Sequence, residues 1–304
     1  MSEFISVLGW YCSVILYLLL TPMAIQLNLS AIAVAGQAAW RRAKPVVLRD
    51  VVILPALGFL GIIILWWIIA LANHELMPTP PEALVANLDY ILNPFYQRGP
   101  GNLGIGWLLL ASLRRVLLGF LLGAIVAIPL GFAIGMSRET MLAINPLIQI
   151  FKPVSPLAWL PIALAIFNLA DPSAIFVIFI TSLWPTIINT ALGVSSVSKD
   201  YLDVARVLEM PRWRRITKII LPASLPYIFT GLRISLGIAW LVIVAVEMLT
   251  GGIGIGFFVW DEWSRLNLSS VFLAVLVIGL TGLLLDFAVS KLESWVTHRP
   301  RKAN

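Results

Sequence analysis

The chain has 304 residues, of which 60% are hydrophobic and 12% are charged, and its formal net charge is +6. Its mean hydropathy of +0.95 excludes an ordinary soluble domain and predicts an all-α polytopic membrane protein. The basic residues flank apolar stretches, so membrane topology explains the positive charge and no nucleic-acid partner is expected.

Residues 1–45 are interpreted as an N-terminal hydrophobic extension. Phe4 to Pro22 is apolar enough to cross a bilayer, whereas the run that follows to Trp40 is mixed and is interpreted as an interfacial piece. One crossing predicts an external N-terminus and two crossings predict an internal one, and both alternatives stay open. Cys12 is the single cysteine, which excludes an internal disulfide and favours a small buried side chain.

Residues 46–304 are predicted to form a transmembrane domain. Its spans are expected at Val51 to Ala72, Ile105 to Met136, Leu142 to Phe167, Ile175 to Leu192, Ser224 to Leu249 and Val271 to Val289. Pro129 predicts a kink, a tilt or an interfacial start for the long second span. Four prolines predict that the helix from Leu142 to Phe167 is broken. Glu82 to Leu92 is a short amphipathic candidate in the preceding outer loop.

The distribution of basic residues orients these spans. Fifteen Lys and Arg residues fall in the segments placed on the cytoplasmic side, two lie outside and four lie within spans. Cytoplasmic loops of membrane proteins are enriched in Lys and Arg. The loop 195–222 is therefore predicted to be cytoplasmic.

This loop is the most charged passage of the chain and is predicted to be a docking element. Ser198 caps a first helix, from Lys199 to Met210, and Pro211 starts a second one. The first helix is predicted to carry Tyr201, Ala205 and Leu208 on one face, with Lys199, Asp203, Arg206 and Glu209 directed largely away from it. Two short helices therefore meet at a corner.

The loop resembles the cytoplasmic signature of permease subunits in bacterial ABC importers, which is E-A-A, three residues, G, nine residues and I-x-L-P. The matching positions are Ala205, Ile219, Leu221 and Pro222. Asp203 replaces the glutamate, Val204 the second residue and Glu209 the glycine. Because a glycine would supply a permissive turn, its absence predicts that Met210 and Pro211 make the bend instead.

Further segments are similar to the nitrate, bicarbonate, sulfonate and taurine branch of these permeases. Residues 151–161 and 227–233 resemble the branch as a whole, and residues 247–261 with 92–96 are most similar to nitrate-type permeases and their bicarbonate relatives. The resemblance implies a type I importer fold, with the N-terminal segment added, in the bacterial inner membrane. It implies nitrate or nitrite as substrate, with bicarbonate as the alternative; a gated anion channel remains open as a different class.

The resemblance also implies the partners and the mode of coupling. Two copies of the permease form a homodimer, two ATP-binding cassette subunits carry MgATP, and an external solute-binding protein delivers the substrate. Tyr201, Ala205 and Leu208 would fill a groove of the ATPase, and Asp203, Arg206 and Glu209 would surround it. Whether the two ATPase subunits are identical stays open.

The residues themselves predict no enzyme. His74 and His298 lie at span ends, and no Cys, His and carboxylate cluster has the spacing of a metal or catalytic site. The glycines from Gly251 to Gly256 lack the lysine of a phosphate-binding loop and are interpreted as a tight outer turn with close helix packing. No cofactor or metal is expected on this chain, and ATP hydrolysis is assigned to a separate subunit.

Charges within spans are costly, so they are candidates for the substrate pathway. Lys152 and Ser155 beside the broken helix are predicted to line the route of a small anion, and a lysine reaching toward headgroups is the alternative. Arg114 and Arg115 point about 100° apart on a helix, so at most one of them can face a central path, and Arg114 is the candidate.

Three further polar or aromatic residues lie within spans. Trp240 is considered as a gate, although packing is favoured because large aromatic side chains mostly supply buried area. Arg233 and Glu247 are interpreted as structural.

Overall fold

The computed structural model describes residues 53–73, 77–99 and 101–297. The predictions for residues 1–45, including the first span and Cys12, lie outside these ranges. The chain divides into two compact units, Met1–Ile68 and Ile69–Asn304. The described part of the first unit consists mainly of the apolar helix α1. This helix ends at Ala72, four residues beyond Ile68, where the first unit ends.

The described residues are almost entirely helical, as the composition predicted. Their α-helices are α1 Leu54–Ala72, α2 Pro80–Ala86, α3 Leu88–Leu92, α4 Ile105–Met136, α5 Arg138–Phe151, α6 Leu160–Phe167, α7 Ala170–Ser195, α8 Lys199–Val207, α9 Arg212–Arg215, α10 Leu221–Thr250, α11 Ile255–Ser264 and α12 Leu268–Val296. A single isolated β-bridge joins Gln97 to Leu103 in this part of the chain. The amphipathic candidate Glu82 to Leu92 is divided between α2 and α3, which meet at Asn87.

Within the described ranges, five helical stretches are long and apolar enough to cross a membrane. They are α1, α4, α7, the stretch Arg212–Thr250 that includes α9 and α10, and α12. A sixth span is formed if α5 and the segment Pro156–Phe167 count together. These six correspond to the six spans predicted for residues 46–304, and several helices extend a few residues beyond the predicted bounds.

A stripe of small residues packs α4 against α7. Every fourth residue of α4 is small along the stripe Gly119, Gly123, Ala127, Gly131 and Gly135. A Cβ at Gly119 would lie 2.7 Å from the carbonyl oxygen of Ile175, and one at Gly131 would lie 2.5 Å from the Cβ of Thr190. Small residues allow helix backbones to approach closely in a membrane. The resulting contact is the most extensive between any two described helices, and α4 remains one continuous helix through Pro129.

The main core lies where α4, α7, α10 and α11 meet. Ile178, Ile243 and Ile255 are fully buried there, and Trp240 is 3% exposed within the same cluster. The expected glycine turn enters this region. Gly251 and Gly252 have φ values of 74° and 97°, and a Cβ at Gly256 would collide with the carbonyl of Val244 on α10. The glycines therefore make a tight turn and close packing, as predicted.

The predicted break in the span from Leu142 to Phe167 is present. α5 ends at Phe151, a short 3₁₀ helix follows at Pro156–Trp159, and α6 continues from Leu160, with a bend of 91° between the two halves. Proline has no N–H to donate, so Pro153 and Pro156 interrupt the helical hydrogen bonds at this point. Phe151 stacks on Trp184 of α7, with ring centroids 5.9 Å apart and planes 5° apart, which anchors the break against α7.

The corner of the cytoplasmic loop differs from the prediction. Glu209 has φ of 48°, its N–H donates to the Arg206 carbonyl, and the Met210 N–H donates to the Ala205 carbonyl, both at 3.0 Å. This pair of hydrogen bonds is the Schellman motif that ends a helix with one left-handed residue. The prediction that Met210 and Pro211 replace the missing glycine was wrong, because Glu209 itself adopts the left-handed conformation. Pro211 comes after the bend and precedes α9.

A π-helical turn follows the corner. It covers Ile216–Ile220 between α9 and α10. Its N-terminal neighbour Arg215 and its C-terminal neighbour Leu221 are both in right-handed helical conformation, so the chain continues from the corner into α10 without a loop. Ile220 is buried there in a small cluster with Val194 and Val197.

Candidate translocation site and coupling corner

A cavity of ≈ 440 Å³ opens where the helix is broken. Its walls come from the break itself, from α7 and from α10. The lining residues are Lys152, Pro153, Val154, Ser155, Pro156, Trp159, Ile180, Thr181, Trp184, Pro185, Ile188, Asn189, Ile234 and Ile238. The structure thus brings the two pathway candidates at the break, Lys152 and Ser155, into one site.

Four polar side chains interrupt the apolar lining. Thr181 Oγ1 donates to the Val177 carbonyl at 2.7 Å, and Asn189 Nδ2 donates to the Pro185 carbonyl at 2.8 Å. The Lys152 ammonium and the Ser155 hydroxyl make no hydrogen bond or ion pair to another side chain within the described ranges. Lys152 and Ser155 are therefore available to donate hydrogen bonds to a ligand.

The cavity lies at the middle of the long helices. Thr181 is about 17 Å along α7 from its first residue, by a rise of 1.5 Å per residue. Pro185 and Asn189 are further along the same helix, and Ile234 and Ile238 lie in the interior of α10. Transporters place substrate sites near the bilayer midplane, beside discontinuous helices whose freed backbone groups face a cavity. The position of this cavity fits that arrangement.

The other two pathway candidates lie elsewhere. Arg114 is exposed on α4 and pairs with Asp171 at 3.0 Å, away from the cavity. Trp240 is buried in the core, and its indole N–H donates to the Ile278 carbonyl at 3.0 Å. Within this chain Arg114 is therefore an exposed ion-pair partner and Trp240 is a packed core residue, and neither lines the cavity at the break.

Of the two adjacent arginines Arg114 and Arg115, Arg115 is the buried one. Its guanidinium lies 2.7 Å from the Glu247 carboxylate and 2.6 Å from Asp171, and it also donates to the Ile253 carbonyl. Ser112 donates to the same Glu247 carboxylate at 2.8 Å. These contacts join α4, α7, α10 and the turn before α11.

The first residues of α11 and the glycine turn before it complete the environment of Glu247. The Gly256 N–H donates to Glu247 Oε2 at 3.0 Å, and the Ile255 N–H donates to Ser112 Oγ at 2.9 Å. A Cβ at Gly254 would collide with the Glu247 carboxylate, so only glycine fits there. Glu247 is thus structural, as expected, and it stabilises the glycine turn.

Arg233, the other span residue interpreted as structural, also has a partner. It pairs with Asp286 of α12 through both a guanidinium ε nitrogen and a terminal nitrogen.

The docking face of α8 is rotated from the predicted one. Ala205 is 1% exposed, whereas the side chains of Tyr201, Val204 and Leu208 are 64%, 57% and 67% exposed. The prediction that Ala205 shares the outward face was wrong, because the helix turns Ala205 toward its own protein. The exposed apolar face is formed by Tyr201, Val204 and Leu208.

Charged residues lie next to this face. Asp203 and Arg206 form an ion pair of 2.8 Å, and both are exposed. Glu209 is exposed at the corner itself. The apolar face with this polar border has the composition of an interface patch surrounded by a solvated rim.

Fold and site together define a class. Helices long enough to span a membrane, one of them broken beside a cavity, are the arrangement typical of a transporter's membrane subunit. The described residues hold no group of three or more His, Cys, Asp or Glu that could bind a metal. Residues 119–298 match the family described as "Binding-protein-dependent transport system inner membrane component".

The chain belongs to this family. It is 45% identical over 251 residues to "Nitrate import permease protein NrtB" of Synechocystis sp., which covers 83% of this chain and 91% of that protein. It is 44% identical over 250 residues to "Bicarbonate transport system permease protein CmpB" of Synechococcus elongatus, covering 81% and 90%. The chain is therefore a multi-pass inner-membrane permease subunit of an ABC importer.

Solved structures show the same fold. The MetNI methionine ABC transporter in inward-facing conformations matches with a TM-score of 0.56 at 14% identity, covering 62% of this chain and 94% of that one. The type I importer fold is thus confirmed. A permease of this family is not itself an enzyme, and its ATPase is a separate subunit. These relatives give no support to the gated-channel alternative.

Two features escaped the sequence analysis although signals for them were present. The small residues at positions 119, 123, 127, 131 and 135 show the four-residue spacing of a membrane helix interface. Arg115 and Glu247 are opposite charges within spans, which usually pair. The sequence does not show which opposite charges on different helices meet, so their partnership was not predicted.

Proposed function

We propose that the chain imports a small oxyanion, nitrate or nitrite, and that bicarbonate is the alternative substrate. The observation that carries the proposal is the cavity at the break, where Lys152 and Ser155 have no partner among the described side chains. The relatives named for nitrate and for bicarbonate transport support this class of substrate and match at 45% and 44% identity.

The chemistry of the cavity suits a monovalent planar anion. Lys152 supplies a positive charge, and the Ser155 hydroxyl supplies a directional donor beside it. The remaining walls are mainly apolar, which keeps the local dielectric low and strengthens the attraction between an ammonium group and an anion. A mobile anion must also leave, and one lysine with a few neutral donors binds it less tightly than a cluster of cations would.

The coupling to ATP is proposed to pass through the corner of loop 195–222. Tyr201, Val204 and Leu208 would enter a groove of the ATPase, and Asp203, Arg206 and Glu209 would orient the contact at its border. Ala205 supports this surface from behind. The rigid Schellman corner and the helical continuation through Ile216–Ile220 would transmit the displacement of α8 to α10.

The complete importer is proposed to contain two copies of this chain, two ATP-binding cassette subunits carrying MgATP, and an external solute-binding protein. ATP binding closes the ATPase pair and favours one conformation of the spans, so the substrate site alternates between the two sides.

Uptake into vesicles tests the proposal. The full chain is reconstituted with its ATPase subunits and binding protein, and entry of labelled nitrate, nitrite and bicarbonate is measured with MgATP and with a non-hydrolysable analogue. We expect nitrate and nitrite to accumulate only with hydrolysable ATP. Accumulation of bicarbonate alone would select the alternative substrate. Uptake of none of the three, in vesicles that hydrolyse ATP, would reject the proposed substrate class.

A further inference from the structure

A second cavity, of ≈ 470 Å³, lies at the inner ends of α4 and α7, beside the corner of loop 195–222. Gly135 and Met136 at the end of α4 form one wall, and Val194 of α7 with Val197, two residues beyond the end of α7, forms another. The opposite wall comes from α8, α9 and the π-helical turn. This cavity is separate from the one at the break and shares no lining residue with it.

Three cations and no carboxylate line this cavity. They are Lys199 at the first position of α8 and Arg212 and Arg215 of α9. Within the described ranges none of the three forms an ion pair, whereas Arg206 on the same loop is neutralised by Asp203. Cations gathered around a concave surface without counter-charges repel one another, and a bound anion would relieve that repulsion.

The other lining residues are apolar. Val194, Val197 and Ile220 belong to one buried cluster, and Leu202 packs against it. The cavity therefore has one basic wall and one apolar wall. The ends of α4 and α7 where it opens are the ends of spans, which is the level of the lipid headgroups. Basic pockets between membrane helices on the cytoplasmic side are suited to phospholipid headgroups.

We propose that this cavity binds a phosphate group, supplied by the headgroup of an anionic phospholipid of the inner leaflet. Arg212 and Arg215 would contact the phosphate oxygens, Lys199 would add charge, and the apolar cluster would accept the glycerol backbone. A lipid in this position would touch α8, α9 and the ends of α4 and α7 at once. It would thereby stabilise the corner against the membrane domain. The proposal does not depend on which anion is transported.

Lipid binding to the purified full chain tests the site. Native mass spectrometry in detergent measures retention of dioleoylphosphatidylglycerol and of dioleoylphosphatidylcholine, which share a phosphodiester but differ in net charge. The cavity variant is Arg212→Gln with Arg215→Gln. The matched control is Arg214→Gln with Lys218→Gln, which removes the same charge from the same segment at positions that do not line the cavity.

The expected result is selective retention of phosphatidylglycerol by the natural chain. Affinity should fall roughly 30-fold in the cavity variant, as expected for the loss of two cations near an anionic headgroup, and less than about threefold in the control. An equal loss in both variants would overturn the proposal, because it would show only a diffuse surface attraction. An equal affinity in all three proteins would overturn it as well.

A competition experiment separates the two sources of phosphate. Inorganic phosphate at millimolar concentration should leave phosphatidylglycerol bound, because it has no glycerol to place on the apolar wall. Displacement of the lipid by phosphate would overturn the lipid source and assign the cavity to a free phosphate. The cavity variant could lose lipid because it is less stable, which a lower unfolding temperature than that of the control would show. In that case the double variant Arg212→Lys with Arg215→Lys is used, because it keeps both charges and must retain the lipid. Loss of the lipid from this variant would also overturn the proposal.

Discussion

Arg115 of α4 and Glu247 of α10 form a buried ion pair with a guanidinium to carboxylate distance of 2.7 Å, although 132 positions separate them in the chain. Their side chains are 9% and 3% exposed. Each also has neutral partners, since Ser112 and the Gly256 N–H donate to the carboxylate and the guanidinium donates to the Ile253 carbonyl. The pair closes one end of the core between α4, α7 and α10.

Removing one member of this pair should destabilise the protein more than removing both. Arg115→Met would leave the Glu247 carboxylate buried without its cation, at a cost of about 3–5 kcal/mol in the free energy of unfolding. The double variant Arg115→Met with Glu247→Gln removes both charges and should recover part of that loss. Unfolding of the purified chain by denaturing detergent measures all three proteins. A double variant less stable than Arg115→Met alone would contradict the interpretation.

A change of glycine to alanine should have opposite effects inside and outside the small-residue stripe of α4. Gly131→Ala places a methyl group 2.5 Å from the Thr190 Cβ and 2.9 Å from the Ile187 carbonyl oxygen, so α4 and α7 must separate. We expect a loss of about 2 kcal/mol. Gly279→Ala on α12 meets nothing within 4 Å and should gain up to about 1 kcal/mol from helix propensity. The same unfolding assay compares them, and equal effects would show that the close packing does not decide stability.

Much of the fold could be predicted because each span is a local pattern. The lengths of the apolar stretches located the spans, and the prolines at 153 and 156 located the break. The similarity to the loop signature of ABC importer permeases, which ends in Leu221 and Pro222, located the loop. What could not be predicted depends on rotation or on distant partners. Apolar residues lie on several sides of α8 and its C-cap, so the pattern does not determine which side faces inward: Tyr201, Val204, Ala205, Val207 and Leu208.

The partners of Arg115 and the conformation of Glu209 were missed for a related reason. Arg115 meets Glu247 through tertiary packing, which a comparison along one helix does not reveal. A glutamate in the left-handed region is uncommon, so the sequence favoured moving the bend to the adjacent proline. The Schellman hydrogen bonds from Glu209 and Met210 overcome that preference.

The corner should become more stable with the residue that the family usually has there. Glu209 occupies a left-handed conformation that costs a residue with a Cβ roughly 1 kcal/mol. Glu209→Gly should relieve most of that cost, whereas Glu209→Val should increase it, since a β-branched side chain is disfavoured at positive φ. Hydrogen exchange of the Met210 amide, which donates to Ala205, measures the local opening. Slower exchange in the valine variant than in the glycine variant would contradict the role of the backbone conformation.

The exposed face of α8 predicts a separation between ATP hydrolysis and uptake. Val204→Asp places a charge on the apolar face beside Tyr201 and Leu208, and we expect the ATPase subunits to dissociate or to hydrolyse ATP without transport, with uptake reduced at least about tenfold. Val207→Asp is the matched control, because Val207 is 82% exposed and lies roughly 100–120° around the helix from Leu208 and Tyr201, outside the face that they form with Val204. Co-purification of the ATPase and uptake are measured together. Equal losses in both variants would indicate a general intolerance of charge on α8.

The lysine at the break should determine uptake without determining assembly. Lys152→Met removes the charge but keeps much of the length of the side chain, so the cavity beside Ser155 remains while its attraction for an anion is lost. We expect nitrate uptake to fall at least about tenfold, which corresponds to 1.4 kcal/mol or more of interaction with the anion. Lys218→Met, which removes a charge from the π-helical turn and does not line the cavity, should leave uptake within about twofold. Both variants must retain the ATPase subunits, and normal uptake by the Lys152 variant would mean that this ammonium group lies outside the path of the anion.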